Sequence, residues 1–241
     1  MIKVENLSLS IGGQQILKQI GFTLSDGENL IILGRSGSGK TMLIKTMMGL
    51  FAPDSGTVTV DGINVHKQRK SSNTSLRQSF AMVFQNSALL DSFTVFQNVA
   101  LPLYERGEKE SAMIRDKVNH CLELVGLEDT QDKYPAQLSG GMRKRVGIAR
   151  ALVYEPGYII FDEPVSGLDP ITAAEVIYYI TQIIQSVSAT TITITHDVRS
   201  LSGLGDRILF IEEGEAVFYG THVEMKTSSD PLLQKFISFS T

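Results

Sequence analysis

An apolar run, NLIIL from Asn29 to Leu33, leads straight into GRSGSGKT from Gly34 to Thr41 and then into the helical pattern MLIKTMMGL. This order of strand, G-x-x-x-x-G-K-T and helix restricts the chain to folds in which a strand hands a glycine-rich turn to a helix N-terminus. Gly34, Gly37 and Gly39 let the backbone wrap with its N–H groups turned inward, and that nest, with the helix N-terminus, attracts a polyphosphate. Arg35, Ser36 and Ser38 complete the loop, and Met42 follows in the first helical turn. Lys40 supplies a point charge for the β- and γ-phosphates, and Thr41 a hydroxyl for Mg²⁺. A ligand-free glycine-rich turn is the alternative, and it leaves eight matched positions without a reason.

At about 150 residues per domain, 241 residues make one large or two small domains with a sizeable core. Acidic residues outnumber basic ones, 26 to 22, so a surface devoted to gripping a polyanion is not expected and no nucleic-acid partner is predicted. The single cysteine, Cys121, has no internal disulfide partner, and the opening MIKVENLSLS has neither a basic n-region nor an apolar h-region. A cytoplasmic address is the simplest expectation. The longest uncharged stretch, Val176 to His196, carries Thr181, Gln182, Gln185, Ser186 and Ser188 among its isoleucines, which a membrane span would not tolerate. It reads instead as a helix with Ile177, Ile180, Ile184 and Val187 on one face, followed by a strand TITIT.

Short apolar runs and period-2 patterns predict strands at Ile2 to Ser10, Ile16 to Leu24, Asn29 to Leu33, Thr57 to Val60, Phe80 to Phe84, Tyr158 to Phe161, Thr190 to Thr195, Arg207 to Ile211 and Ala216 to Tyr219. Helices are predicted at Lys40 to Gly49, Val95 to Tyr104, Glu110 to Val125, Gly140 to Val153, Thr172 to Ser186 and near the C-terminus. NLIIL, YIIF and TITIT lack polar alternation, as strands covered on both faces do, whereas the N-terminal strands look half exposed and antiparallel. The expectation is an α/β fold: one domain over 1–241, with a mostly parallel core sheet and an antiparallel β flank (1–85 and 155–241), and an inserted α-helical subdomain at about 86–154. The basic stretch from His66 to Gln78 reads as a solvated loop.

YIIFDEP brings Asp162 to the C-terminal end of a buried strand, where ligands sit in such sheets and where a carboxylate holds the Mg²⁺ shell. Glu163 then stands where it can orient or deprotonate an attacking water. In LSGGMRKR, Ser139, Gly140 and Gly141 open a helix whose N–H groups and hydroxyl suit a second anion, a simple helix cap being the alternative.

LSGGMRKR, placed between the phosphate loop and YIIFDEP, resembles the LSGGQ sequence of ATP-binding-cassette ATPases, and the resemblance spans nearly the whole chain. It implies a P-loop NTPase of the ABC ATPase type that hydrolyses ATP with Mg²⁺. Gln85 in VFQNSALL resembles the Q-loop glutamine that meets the metal and the γ-phosphate, SGLD at Ser166 to Asp169 the D-loop, and His196 after TITIT the switch histidine. In this family the LSGGQ segment completes the ATP site of a second copy, so a dimer with two shared nucleotides is implied. Two positions depart from the pattern: Ile11 stands where an aromatic residue usually stacks on adenine, and Met142 replaces the glutamine after LSGG.

No N-K-x-D sequence that reads guanine occurs, and one uninterrupted cassette favours a transporter subunit over ribosomal or chromosomal cassettes. The chain ends soon after its last predicted strand, which argues against the C-terminal domain of sugar and sulfate importers. FQNSALLDSFTVFQNVALPL, FDEPVSGLDPITA and SDPLLQKF are most similar to the ATPases of MCE-type lipid transporters. That resemblance implies an integral membrane permease, an MCE-type lipid-binding protein in the complex, and a peripheral place on the cytoplasmic face of the inner membrane. Ser87 to Leu103, with Leu89, Leu90, Phe93, Val95 and Phe96, would then receive a short helix of the permease. An amino-acid or other small-solute importer, and a soluble regulatory cassette, are the rival readings.

Overall fold

Residues 1–67, 76, 78–197 and 203–240 are described in a computed structural model. The chain divides into two compact units, Met1–Phe80 with Thr190–Thr241, and Ala81–Ala189.

In the first unit, β1 (Ile2–Ile11) and β2 (Gln14–Leu24) form an antiparallel hairpin, and β4 (Ser55–Val60) with β5 (Ile63–Asn64) extends it in the order β2-β1-β4-β5. Register slips where Asn6 takes φ 49, and Gly56 is required opposite it: a Cβ there would lie 2.4 Å from the Asn6 carbonyl oxygen. The second sheet is built on β3 (Leu30–Leu33), whose four side chains are all fully buried. Each contributes about 1.5–3 kcal/mol by leaving water, which is why an unbroken apolar run belongs at the centre of a sheet. β3 lies parallel to β8 (Thr190–Thr195) on one side and to β9 (Arg207–Glu212) on the other, and β10 (Glu215–Gly220) closes antiparallel on β9.

Asn29 fixes this register from below. Its Oδ1 accepts from the Thr191 N–H and hydroxyl at 2.9 and 2.8 Å, while its own N–H donates to Asp206 at 2.8 Å. α1 (Lys40–Met47) follows β3, and α6 (His222–Thr227) and α7 (Pro231–Ser240) follow β10, with Phe236 against Phe210 at 4.8 Å between ring centres.

The second unit carries β6 (Phe80–Val83) hydrogen-bonded beside β7 (Tyr158–Asp162), with α2 (Val95–Glu105), α3 (Ser111–Glu123), a 3₁₀ turn at Pro135–Gln137, α4 (Gly140–Leu152) and α5 (Pro170–Ser186). Thr94 and Gln97 start α2 with a reciprocal capping box. Two buried polar residues organise the helices. Asn98 accepts from the Leu90 N–H and donates to the carbonyls of Leu90, Phe93 and Thr94, so the amide is satisfied on every side. Arg145 donates to the carbonyls of Val125 and Gly126, pairs with Glu175 at 3.2 Å, and lies over the Tyr179 ring.

The α/β architecture, the parallel strands around β3 and the antiparallel flank agree with expectation. The segment 86–154 falls inside the second unit, which also holds β7 and α5. The face of α5 does not follow the predicted stripe. Val176, Ile180 and Ile183 are buried, Ile177 and Ile184 are only half-buried, and Val187 is an extended residue beyond the helix end. Val176, Ile177, Ile180, Ile183 and Ile184 share one face about 120° wide, so periodicity alone leaves the centre of burial within that face open. β5, the 3₁₀ turn and α6 are too short to register as patterns. The basic stretch His66 to Gln78 lies mostly outside the described residues. Among the described residues no helix is long and apolar enough to cross a membrane.

Candidate nucleotide site

In the first unit, β3 ends at Leu33 and the chain enters the loop through Gly34 at φ 153. A Cβ at Gly34 would lie 2.2 Å from the Ile211 carbonyl oxygen and 2.7 Å from Ser38 Oγ, so only glycine fits. Gly37 and Gly39 follow at φ 82 and 105, the left-handed steps that turn successive N–H groups to one side. Arg35, Ser36 and Gly37 are exposed, Ser38, Gly39 and Lys40 are buried, and Thr41 and Met42 are half-buried in the first turn of α1. Arg35 reaches Glu212 at the end of β9, 3.5 Å away.

Lys40 Nζ donates to the carbonyls of Gly34 and Arg35, both at 2.7 Å, so its stem is folded back across the loop. Two features fit a phosphate. α1 starts at Gly39 without a side-chain cap, and Ser38 Oγ is buried with no hydrogen-bond partner among the described residues. Both are donor-rich positions that a polyphosphate would satisfy. Leu33 pairs with Thr195 across the parallel ladder, so Gly34 and the exposed His196 leave neighbouring strands at the same end.

In the second unit, β7 brings the half-buried Asp162 to its C-terminal end, and Glu163 follows at φ 48. A left-handed glutamate is costly and points to a turn held by its surroundings. Gln85 is exposed after β6, and its Nε2 donates to Ser166 Oγ at 3.0 Å, which ties the predicted Q-loop and D-loop residues together. Asp169 is the N-cap of α5. It accepts from the N–H groups of Ile171 and Thr172 at 3.1 Å and from the Thr172 hydroxyl at 2.6 Å, which holds its carboxyl below the ordinary carboxylate range.

Ser139 is the N-cap of α4 and accepts from the Met142 N–H at 3.2 Å. A hydroxyl that accepts there still has a proton to donate, so capping and anion binding are compatible. Gly140 is half-buried, and Gly141 is buried where a Cβ would meet Thr172 Cγ2 at 2.4 Å. Met142 is half-buried, and Ile11 is 42% exposed at the tip of the first hairpin. Of the proposed permease groove, Val95 belongs to the core, Leu89, Phe93 and Phe96 are half-buried, and Leu90 is exposed.

Lys144, not singled out in the sequence, is 6% exposed and donates to the backbone carbonyls of Gln85 and Glu163. Its signal was present: a lysine on the same stripe of α4 as Gly141, Ile148 and Leu152 sits on the buried face. Among the described residues no group of three or more His, Cys, Asp or Glu side chains could hold a metal. Mg²⁺ takes most of its oxygens from phosphate and water and needs few protein carboxylates, so the lack of such a cluster does not count against it.

A βα phosphate loop on a parallel strand defines a P-loop NTPase. The sequence pattern of the family described as ABC transporter matches residues 17–166. The probable ribonucleotide transport ATP-binding protein mkl of Mycobacterium tuberculosis (strain H37Rv) is 35% identical over 237 residues, which cover 98% of this chain and 66% of that protein. The methionine import ATP-binding protein MetN of Carboxydothermus hydrogenoformans is 37% identical over 99% of this chain and 72% of its own length. The intermembrane phospholipid transport system ATP-binding protein MlaF of Escherichia coli (strain K12) is 32% identical over 98% of this chain and 88% of its own length. The ATP-binding cassette MJ0796, solved as a dimer in a post-hydrolysis state bound to ADP and Pi, superposes with a TM-score of 0.81 at 30% identity, over 92% of this chain and 98% of that one. This chain belongs to the ABC transporter family and has the fold of an ABC ATPase. It spans about two thirds of the length of the mycobacterial relative.

Proposed function

We propose that the protein is the ATP-hydrolysing subunit of a membrane transporter, working as a pair of copies with two shared nucleotides and driving phospholipid movement across the bacterial envelope. In this reading Gly34 to Met42 cradle the triphosphate, Lys40 exchanges its loop carbonyls for β- and γ-phosphate oxygens, and Ser139, Gly140 and Gly141 meet the nucleotide of the other copy. Thr41, Gln85 and Asp162 would hold Mg²⁺, which would supply charge neutralisation at the phosphates. Glu163 orients or deprotonates the water, His196 steadies it at the γ-phosphate, and Asp169 of the D-loop belongs to the residues that meet the nucleotide. The segment 86–154 serves as the helical subdomain that receives the permease, and an MCE-type protein completes the complex on the far side.

The observation that supports the lipid reading is similarity to MlaF over 98% of this chain, together with the segments Phe84 to Leu103 and Phe161 to Ala173 that resemble MCE-type ATPases. Import of methionine or another small solute is the second reading, supported by the higher identity to MetN, 37% against 32%. Purification of the protein with its native membrane partners separates the two. A permease together with an MCE protein and bound phospholipid supports lipid transport, whereas a solute receptor sinks it. In the same preparation Glu163→Gln is expected to retain ATP while losing turnover, and near-normal turnover would remove Glu163 from its role.

A further inference from the structure

α4 begins at Ser139 and presents Lys144, Gly147 and Arg150 along one stripe to the segment that follows Gln85. Arg150 donates to the carbonyls of Ser87 and Ala88 at 2.6 and 2.8 Å, and Gly147 leaves room for Ser87, which an added Cβ would meet at 3.4 Å. Ser87 and Ala88 are both left-handed, at φ 58 and 47, so this turn exists because α4 holds it. Lys144 lies nearest the LSGG end. Its Nζ donates to the Gln85 carbonyl and reaches the Glu163 carbonyl at 3.4 Å. Burial lowers its basicity, while the carboxylates of Glu163 and Asp162 favour its charged form. An apolar side chain would fill this place at less cost in desolvation, so the ammonium is there for the carbonyls it holds.

We propose that Lys144 is a positioning residue that fastens the backbone of Gln85 and Glu163 to α4, so that displacement of α4 at Ser139–Gly141 is carried to the glutamine and the hydrolytic carboxylate of the same subunit. This rests on the reading above, in which Glu163 acts on water and Ser139 meets the nucleotide of the second copy. Lys144 then links the two nucleotides of a pair: whatever grips the N-terminus of α4 also sets the aim of Glu163 at the other site. The helix suits this task, because thirteen residues with nine buried form a stiff element and Lys144 sits only five residues from Ser139. The phosphate loop belongs to the other compact unit, so affinity at that loop is expected to depend on Lys144 much less than hydrolysis does.

The test is single-turnover phosphate release and nucleotide affinity for the full chain with its membrane partners, in wild type, Lys144→Met and Lys144→Arg. The Met variant keeps the apolar stem and removes the donor. It is expected to slow hydrolysis at least about tenfold with ATP affinity within about twofold, the signature of a contact that matters only in the transition state. Arg, which still donates, is expected to recover the rate to within about threefold of wild type. A Met variant within about twofold of the wild-type rate overturns the proposal. So does a loss of rate that is matched by lost affinity and a lower urea midpoint and is not recovered by Arg, which would make Lys144 merely structural. A wild-type protein that releases no phosphate overturns the ATPase reading itself, a result separable from both.

Discussion

Replacing Gly141 with Ala opposes two effects whose sign the packing of α4 on α5 decides. Exchange of Gly for Ala in a helix gains up to about 1 kcal/mol. The new Cβ, however, lies 2.4 Å from Thr172 Cγ2, where carbons at rest stand about 3.5–4.0 Å apart. Thr172 cannot swing away freely, because its hydroxyl donates to Asp169 at 2.6 Å and its N–H donates to the same carboxylate. The helices must part by about 1 Å, and overpacking of that kind costs about 1–3 kcal/mol. Gly141→Ala is therefore expected to destabilise the protein by about 1–2 kcal/mol, read as a lower urea midpoint at unchanged m-value. In a Thr172→Ser background the offending methyl is gone, the hydroxyl remains, and the next atoms, Thr172 Cβ and Val176 Cγ2, stand at 3.9 Å. There the same substitution should be neutral or stabilise by up to about 1 kcal/mol, a reversal of sign within a double-mutant cycle. Equal destabilisation in both backgrounds would refute the packing account. The rescued double variant then isolates any remaining need for glycine at the phosphates, since lost hydrolysis in a stable protein cannot be blamed on folding.

Lys40→Met should weaken ATP binding by about 10- to 100-fold, the loss of a charge-assisted bond worth about 1.5–3 kcal/mol, and isothermal titration that gives an unchanged Kd would contradict the proposed exchange of carbonyls for phosphate. Cys121 is buried, and burial together with the Glu155 carboxylate pushes its thiol from 9.0 up to about 12. At pH 8 thiol labelling of the native protein should run about a thousandfold slower than in urea, and equal rates would show the site to be open. Because the folded thiol keeps a proton that the unfolded one loses, stability should also fall as the pH rises past 9.0.

The phosphate loop and the strands around β3 were legible in the sequence because their signals are local: an apolar run, fixed glycines and a helix start lie within about a dozen neighbouring residues. What could not be read there depends on distance in the chain. Glycine at 141 reads as a cap or an anion contact, yet the structure also requires it against Thr172, thirty-one residues on. The phase of α5 was missed for a related reason, since Val176, Ile177, Ile180, Ile183 and Ile184 share one face about 120° wide and only the helix's neighbours choose which of them to bury. Lys144 is the same kind of omission, a charge whose purpose is visible only when the carbonyls it serves are in place.

Ser139 and Asp169 show how chemistry sorts residues that a resemblance treats alike. Both cap their own helices, α4 and α5. Ser139 accepts one N–H and keeps a proton, so a phosphate oxygen can bind there without breaking the cap. Asp169 is an acceptor only, held ionised by three donors from Ile171 and Thr172, and a carboxylate in that state repels a phosphate. Any contact of its carboxylate with a nucleotide is therefore expected at a hydroxyl, a water or the metal rather than at a bare phosphate oxygen, and it shapes the turn before α5, in which Ser166 takes the hydrogen bond of Gln85. Two polar contacts of the second unit thus converge on Gln85, Ser166 at its side chain and Lys144 at its backbone.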